Sequence, residues 1–330
     1  MIRAAIVGLG WWGQNHVRAT TNSSKLQFTR AVDIAPDKVR GFCEEHGLAL
    51  TDSFTEVLAD PEIDAVVLVT PHSQHIDQIV AAAAAGKHVL TEKPFSLHKD
   101  EGLRGIKAAK EAGITLGIGH NYRYGAAVRE IKRMIDAGEL GEIHHIEANL
   151  SHQGQIGIEG WRRSAAEAPT GGIVHFGAHM IDIMTWYCGP MRRVFGQTTS
   201  HILPADCGSV LVAFESGVTG YLADLMTTPA TFHLQVMGSK GWARANGWLD
   251  ANEVTKCFGA ARVEDGGGKV ETVALPKVDV LQQLRANDEN FAAACMGEEA
   301  YLFTPEQMAH TAAVHEAIAT SAASGLPTAV

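Results

Sequence analysis

A glycine-rich turn near the start of the chain constrains the fold more than any other feature. The apolar run at 4–7 leads directly into Gly8-Leu9-Gly10-Trp11-Trp12-Gly13, and a helical pattern follows. Glycines with the spacing GxGxxG after a strand allow a tight turn and let the backbone approach a pyrophosphate at the helix N-terminus. The sequence therefore predicts a dinucleotide-binding β-α unit built on Gly8, Gly10 and Gly13.

A carboxylate after the second predicted strand indicates which dinucleotide binds. Asp33 lies 20 residues after Gly13, where it can accept hydrogen bonds from the adenine ribose. It would repel a 2′-phosphate, and Ile34-Ala35-Pro36 offers no arginine or serine to hold one, although Lys38 is near. We expect NAD rather than NADP. The alternative is a tight strand-to-helix turn that binds nothing. One of the tryptophans is a candidate for packing beneath the cofactor, with packing in the core as its alternative.

The order of predicted elements divides the 330 residues into two domains. Up to residue 121, β-branched runs alternate with helical patterns, which is typical of a parallel sheet. From 122 onwards, one or two helices, at 126–137 and 172–188, precede turn-punctuated strands, and a last helix is expected at about 305–323. The expected fold class is α/β, with an N-terminal Rossmann dinucleotide-binding domain at 1–121 and a C-terminal α+β domain at 122–330 that has a large, mostly antiparallel sheet. Its predicted strands include 210–214, 218–225, 232–237, 242–246 and 270–274.

The composition excludes several classes of protein. Acidic residues outnumber basic ones by 37 to 27, a formal net charge of −10, which argues against nucleic-acid or anionic-membrane partners. No apolar stretch approaches the roughly 20 residues of a membrane-spanning helix, and none is typical of a signal peptide. The five cysteines are scattered without a CxxC pair. We expect a soluble protein of the reducing cytoplasm.

Two polar clusters follow further predicted parallel strands. Thr70-Pro71-His72-Ser73-Gln74-His75 comes after the strand at 65–69, and Thr91-Glu92-Lys93-Pro94 follows the strand at 88–90. Open α/β sheets bind ligands at the carboxyl ends of their strands. Lys93 is therefore a candidate for proton transfer, because burial and a cofactor cation would favour its neutral form. The alternative for Lys93 is a solvated surface charge.

The same clusters resemble the signature of the Gfo/Idh/MocA oxidoreductases, a run close to AGKHVxxEKP that follows a TPNxxH segment. This chain carries Ala85-Gly86-Lys87-His88-Val89 and Glu92-Lys93-Pro94, preceded by Thr70-Pro71 and His75. The resemblance covers essentially the whole chain, with further matches at 122–123, 138–143, 161–162, 171–182 and 321–325.

The resemblance implies hydride transfer between a nicotinamide and a hydroxyl-bearing carbon of a small sugar, cyclitol or related ring. Lys93 would be the proton shuttle, His179 a second acid/base, and Glu92 a neighbour of the nicotinamide ribose. The open sheet of the second domain would form a homodimer or homotetramer. The candidate cofactor-binding residues are Gly8, Gly10, Trp11, Trp12, Gly13, Asp33, Thr70, Pro71, His75, Glu92 and Lys93. The candidate substrate-binding residues are Lys93, Arg123, Trp161, Arg162, His175 and His179.

One predicted helix face gathers titratable groups independently of the resemblance. His175, His179 and Asp182 stand at i, i+4 and i+7, so they project from one side, and Asp182 could fix the tautomer of His179. Histidines satisfied within the core are the alternative. A metal on the two histidines would need a third ligand, and no HExxH pattern occurs, so we expect no metal.

The chain departs from the family at His175, where members commonly carry an aspartate. The change replaces an anionic acceptor for sugar hydroxyls with a titratable donor, which makes His175 a further catalytic candidate. With His120, Arg123, Arg162 and Arg163, it favours a substrate that bears a carboxylate, such as a uronic acid or an aromatic dihydrodiol acid.

Two other functions fit the same motifs. A redox-neutral enzyme of the glycoside-cleaving type would retain NAD and oxidise, then re-reduce, its substrate. A non-catalytic NAD-binding regulator would bind without turnover, although the presence of both Lys93 and His179 counts against it.

Overall fold

The computed structural model describes residues 1–155, 160–248, 250–259 and 268–330. The chain forms two compact units, Met1–Asn121 with Leu281–Ala312 and Tyr122–Val280 with Ala313–Val330. The first unit thus includes a late segment that the sequence pattern assigns to the second domain.

Six strands form the sheet of the first unit: β1 Ile2–Val7, β2 Leu26–Val32, β3 Ala49–Thr51, β4 Ala65–Leu68, β5 His88–Thr91 and β6 Leu116–Ile118. Their order is β3-β2-β1-β4-β5-β6, and every neighbouring pair is parallel. The early helices are α1 Trp11–Ala19, α2 Pro36–His46, α3 Phe54–Ala59, α4 His75–Ala84 and α5 Lys99–Ala112. This confirms the predicted Rossmann-like sheet, whose strand order reverses between β1 and β4, where such folds bind nucleotides.

Local signals in the sequence start and stop these helices. Pro36 occupies the first turn of α2, where its missing N–H costs nothing. Ser53 caps α3, since its hydroxyl accepts a hydrogen bond from the backbone N–H of Glu56 at 3.2 Å. Gly113 ends α5 with φ +67°, a left-handed conformation that favours glycine.

The second unit contains a nine-stranded sheet. Its strands are β7 Ile143–Ser151, β8 Met191–Thr199, β9 Cys207–Phe214, β10 Thr219–Leu225, β11 Thr231–Gly238, β12 Gly241–Asn246, β13 Glu253–Phe258, β14 Lys269–Ala274 and β15 Thr328–Ala329. The order is β14-β13-β12-β11-β7-β10-β9-β8-β15, and among the described pairs β7 and β10 run parallel while the others are antiparallel. The predicted, mostly antiparallel sheet is confirmed.

The later helices differ in part from the sequence pattern. They are α6 Ala126–Asp136, α7 Ala178–Cys188, α8 Val280–Cys295 and α9 Pro305–Ser324. The helix predicted at 172–188 begins with a π-helical turn, Ile173–Gly177, before α7. Helix α8 was not predicted, and its Phe291 and Ala292 are buried in the core around β1, which explains why this segment groups with the first unit.

Within the described residues, no helix is both long and apolar enough to cross a membrane.

Candidate functional site

The glycine turn has the shape that a dinucleotide requires. Gly8 has φ +94°, and a Cβ there would lie 2.6 Å from the carbonyl oxygen of Val69. A Cβ on Gly13 would lie 2.0 Å from the carbonyl oxygen of Gly8. Gly10, the N-cap of α1, is different, because a Cβ there would meet no atom within 4 Å. Gly8 and Gly13 thus close the turn, whereas Gly10 leaves open space beside a helix N-terminus, which fits a pyrophosphate.

This difference makes a prediction for two matched alanine substitutions. Gly13→Ala should lower the free energy of unfolding by about 1–3 kcal/mol or more, because its methyl group collides with backbone. Gly10→Ala should cost less than about 1 kcal/mol, yet weaken NAD binding about tenfold or more, because its methyl group fills the space for the pyrophosphate. Thermal denaturation and fluorescence titration with NADH measure the two effects. Undiminished binding by Gly10→Ala would contradict this assignment.

Asp33 follows β2 and lies beside the glycine turn. Its carboxylate accepts hydrogen bonds from the backbone N–H groups of Leu9 and Ala35, each at 2.9 Å. The next side chain, Ile34, is 97% exposed. Trp11 is 73% exposed, so the alternative of core packing is wrong for this tryptophan, whereas Trp12 is partly buried. The first unit therefore carries the Asp33 carboxylate and two exposed apolar side chains, Trp11 and Ile34.

His75 ties together the two loops that follow β4 and β5. Its ring is fully buried, with Nδ1 3.0 Å from the carbonyl oxygen of Pro94 and Nε2 3.1 Å from that of Thr70. The Thr70 hydroxyl donates to the Gln78 side chain at 2.6 Å. Both ring nitrogens of His75 thus face backbone, which differs from the cofactor contact expected from the sequence. His75 instead fixes the loops that carry Thr70 and Lys93.

Glu92 is a buried carboxylate beside the partly exposed Lys93. One oxygen, Oε2, accepts a hydrogen bond from the Lys93 backbone N–H at 3.2 Å, and Oε1 lies 3.2 Å from His16 Nε2. A Cβ on Gly119 would lie 2.1 Å from Oε1, so only glycine leaves room for this carboxylate. Burial opposes ionisation of Glu92, but His16 and Lys93 outweigh it and hold its pKa below the usual value.

His16, on α1, was not among the predicted site residues. Its ring is fully buried, and Nδ1 lies 2.8 Å from Oδ2 of Asp288 on α8. Burial lowers the pKa of the imidazole, but Asp288 and Glu92 together raise it to about 10. Burial in turn raises the pKa of Asp288. A buried imidazole with a raised pKa therefore lies between two carboxyl groups, one of which belongs to Glu92, the residue before Lys93.

The candidate residues of the second unit are placed differently from the sequence pattern. His179 is 4% exposed and stacks on Tyr122, with ring centroids 4.1 Å apart. Asp182, expected to orient His179, instead accepts from Arg123 at 2.8 and 2.7 Å. Arg123 is fully buried and also lies over the Trp186 ring at 5.0 Å. Its guanidinium is therefore engaged inside this unit, in contrast to the predicted substrate contact.

His175 lies in the π-helical turn, so the regular spacing to His179 is lost. With Arg162 and Arg163 it lines a small surface hollow. The Arg162 guanidinium also stacks over Trp161 at 4.3 Å. The structure thus gathers three of the basic groups that the sequence pattern associates with an anionic substrate.

Metal-binding side chains are not gathered in the described part of the chain, where no three His, Cys, Asp or Glu residues are placed to hold an ion.

Two family models match the chain. Residues 2–120 match the oxidoreductase family with an NAD-binding Rossmann fold, and residues 128–244 match the GFO/IDH/MocA C-terminal domain.

Named relatives are similar over most of the chain. The scyllo-inositol 2-dehydrogenase (NAD(+)) of Bacillus subtilis is 28% identical over 262 residues, which are 73% of this chain and 72% of the relative. The 1,5-anhydro-D-fructose reductase of Ensifer adhaerens is 28% identical over 252 residues, 73% of this chain and 74% of the relative. Levoglucosan dehydrogenase in complex with NADH and levoglucosan shares the fold, with a TM-score of 0.89 over 100% of this chain and 99% of that one, at 19% identity.

Proposed function

Because the chain belongs to the Gfo/Idh/MocA family of NAD(P)-dependent oxidoreductases acting on CH–OH groups, we propose that it uses NAD to oxidise a secondary hydroxyl of a sugar, cyclitol, uronate or dihydrodiol-type substrate. The observation that carries this proposal is the placement of Lys93. It follows β5 at the carboxyl edge of the sheet, one residue after a buried and ionised carboxylate.

Lys93 is the proposed proton shuttle. When bound, NAD supplies the hydride acceptor. As the hydroxyl carbon loses hydride, Lys93 Nζ accepts the hydroxyl proton, which leaves a carbonyl product, NADH and an ammonium group. Glu92, fixed beside Lys93, stabilises that ammonium by Coulombic attraction. His179 is assigned as the second acid/base and His175 as a ligand of the substrate.

Asp33 and Ile34 support NAD as the cofactor. The Asp33 carboxylate would accept hydrogen bonds from both ribose hydroxyls but repel a 2′-phosphate. Ile34 is almost fully exposed where an arginine would bind that phosphate. The nucleotide therefore gains hydrogen bonds at Asp33 only when its 2′ position carries a hydroxyl.

The basic hollow supports a carboxylate-bearing substrate. Arg162 and Arg163 supply guanidinium groups, and His175 supplies a titratable donor on its buried wall. Guanidinium groups bind carboxylates through paired, charge-assisted hydrogen bonds. Neutral polyols carry no anion that could form such pairs.

A dehydrogenase screen tests the proposal. Purified protein should reduce NAD faster than NADP with at least one member of a panel of cyclitols, aldoses, uronates and dihydrodiols, and acidic members should react fastest. Faster reaction with neutral polyols would contradict the anionic substrate class but would still support dehydrogenase activity. No reduction of either cofactor across the panel would contradict the dehydrogenase itself.

The open sheet supports a homodimer or homotetramer. Leu211 on β9 and Tyr221 on β10 are directly paired and are 56% and 39% exposed. Their sequence neighbours Val210, Val212 and Leu222 are buried in the core. This sheet face therefore presents apolar side chains that a second copy would cover. A cytoplasmic location remains a prediction.

A further inference from the structure

The most deeply buried ionic cluster of the first unit joins three distant parts of the chain. His16 lies on α1, directly after the glycine turn, Glu92 follows β5, and Asp288 lies on α8. His16 and Asp288 have no exposed surface, and Glu92 is 6% exposed. Asp288 is 272 residues from His16 in sequence. We call the three residues the Asp288–His16–Glu92 relay.

Both ring nitrogens of His16 lie against carboxyl oxygens. Nδ1 of His16 faces a carboxyl oxygen of Asp288 at 2.8 Å, and Nε2 faces a carboxyl oxygen of Glu92 at 3.2 Å. When both carboxyl groups are ionised they can only accept hydrogen bonds, and both ring nitrogens then donate. The imidazole is then a cation, and Asp288 holds it in the orientation that directs its Nε2–H at Glu92.

The position of Glu92 is correspondingly restricted. His16 holds Oε1, the Lys93 backbone N–H holds Oε2, and Gly119 packs against the carboxylate on a third side. His16, Lys93 and the Trp12 indole lower the pKa of this carboxylate, whereas the Asp288 carboxyl repels it. If His16 lost its proton or turned, Lys93 would be the cation that remains beside Glu92 among these groups.

We propose that Asp288 and His16 are positioning residues of the reaction, which hold the Glu92 carboxylate ionised and fixed next to Lys93. The proposal rests on the proposed role of Lys93 as proton shuttle. It assigns a function in the reaction to α1 and to α8, neither of which supplies the proton-transferring group.

A purely structural role would not require this chemistry. Buried ion pairs contribute little net stability compared with apolar side chains of the same size, since desolvation offsets the Coulombic attraction. Helix α8 also has other anchors, because Ser23 donates to Glu289 at 2.7 Å and Phe291 is fully buried in the core. The relay adds orientation and charge at Glu92, which packing alone does not supply.

The test compares two carboxylate-to-amide substitutions on α8 in the holoenzyme. Asp288→Asn removes the anion that orients His16, whereas Glu289→Gln, its neighbour, leaves the relay intact and serves as the control. For Asp288→Asn we expect kcat to fall about 10- to 100-fold with little change in the KM for NAD. The pH at which kcat/KM rises should move downwards, because the anion that favours the Lys93 ammonium is no longer fixed. Glu289→Gln should keep the wild-type kcat and the wild-type pH dependence of kcat/KM.

A second measurement does not depend on the variant folding. In ¹⁵N spectra of the wild-type holoenzyme labelled at histidine, with the His16 signals assigned in the wild-type protein by through-bond correlation to its backbone, both ring nitrogens of His16 should carry protons at neutral pH. An unprotonated ring nitrogen would overturn the proposal, as would a folded Asp288→Asn enzyme with wild-type kcat and pH profile. A wild-type enzyme that forms no NADH contradicts the proposed function instead, so the two failures are distinguishable.

Discussion

Replacing Lys93 with alanine should lower kcat about 100- to 10,000-fold while NADH still binds. The effect is large because a positioned acid/base contributes a factor of this size, and the methyl group of alanine cannot carry the hydroxyl proton. Cofactor binding should persist, since the glycine turn and Asp33 remain intact. Steady-state kinetics and fluorescence titration with NADH measure the two quantities.

The matched control for this substitution is Lys107→Ala on α5. The Lys107 side chain is 73% exposed, so its loss removes the same charge without changing the sheet edge. This variant should keep wild-type turnover. Wild-type turnover by Lys93→Ala would reject Lys93 as the proton shuttle. Loss of NADH binding in that variant would instead assign Lys93 to cofactor binding.

The double substitution Asp33→Ser and Ile34→Arg should change the preference from NAD towards NADP about 100-fold or more. It removes a carboxylate that repels the 2′-phosphate and adds a guanidinium that pairs with it, and each change contributes on the scale of a kcal/mol or more. Serine also keeps an oxygen that can accept from the backbone N–H groups of Leu9 or Ala35. The ratio of kcat/KM for the two cofactors gives the size of the change.

Ile34→Arg alone is the control for that experiment. Because Asp33 remains, the added guanidinium can pair with the carboxylate, and the change in preference should be much smaller than in the double variant. An unchanged preference in the double variant would contradict the location of the adenine ribose at Asp33.

Much of the fold could be predicted from local patterns. Buried parallel strands are largely apolar runs, as in β4 and in residues 4–7 of β1. The helices between them carry end signals at residues such as Ser53 and Gly113, and these signals depend on only a few neighbouring residues. Strands β7 and β8 were not predicted, because a sheet open on one face alternates buried with polar side chains. Strand β8 even contains two adjacent exposed arginines.

The candidate site could be predicted only where a motif is local. The glycine turn, Asp33 and the Glu92-Lys93 pair are each recognisable within a few residues. His16 and Asp288 meet across 272 residues, and a lone polar residue on a helix gives no signal of its partner. Arg123 was expected at the substrate for a similar reason, since the sequence does not show that Asp182 neutralises it in the core.

The most direct test of the central claim is the stoichiometry of NADH and oxidised product during turnover. A dehydrogenase must release NADH and carbonyl product in equal amounts, and the wild-type enzyme should do so with its best substrate from the screen, with Lys93→Ala forming neither at a comparable rate. Product formed without net NADH would contradict the claim and indicate a redox-neutral enzyme that retains its cofactor. NADH binding without any product would indicate a regulator.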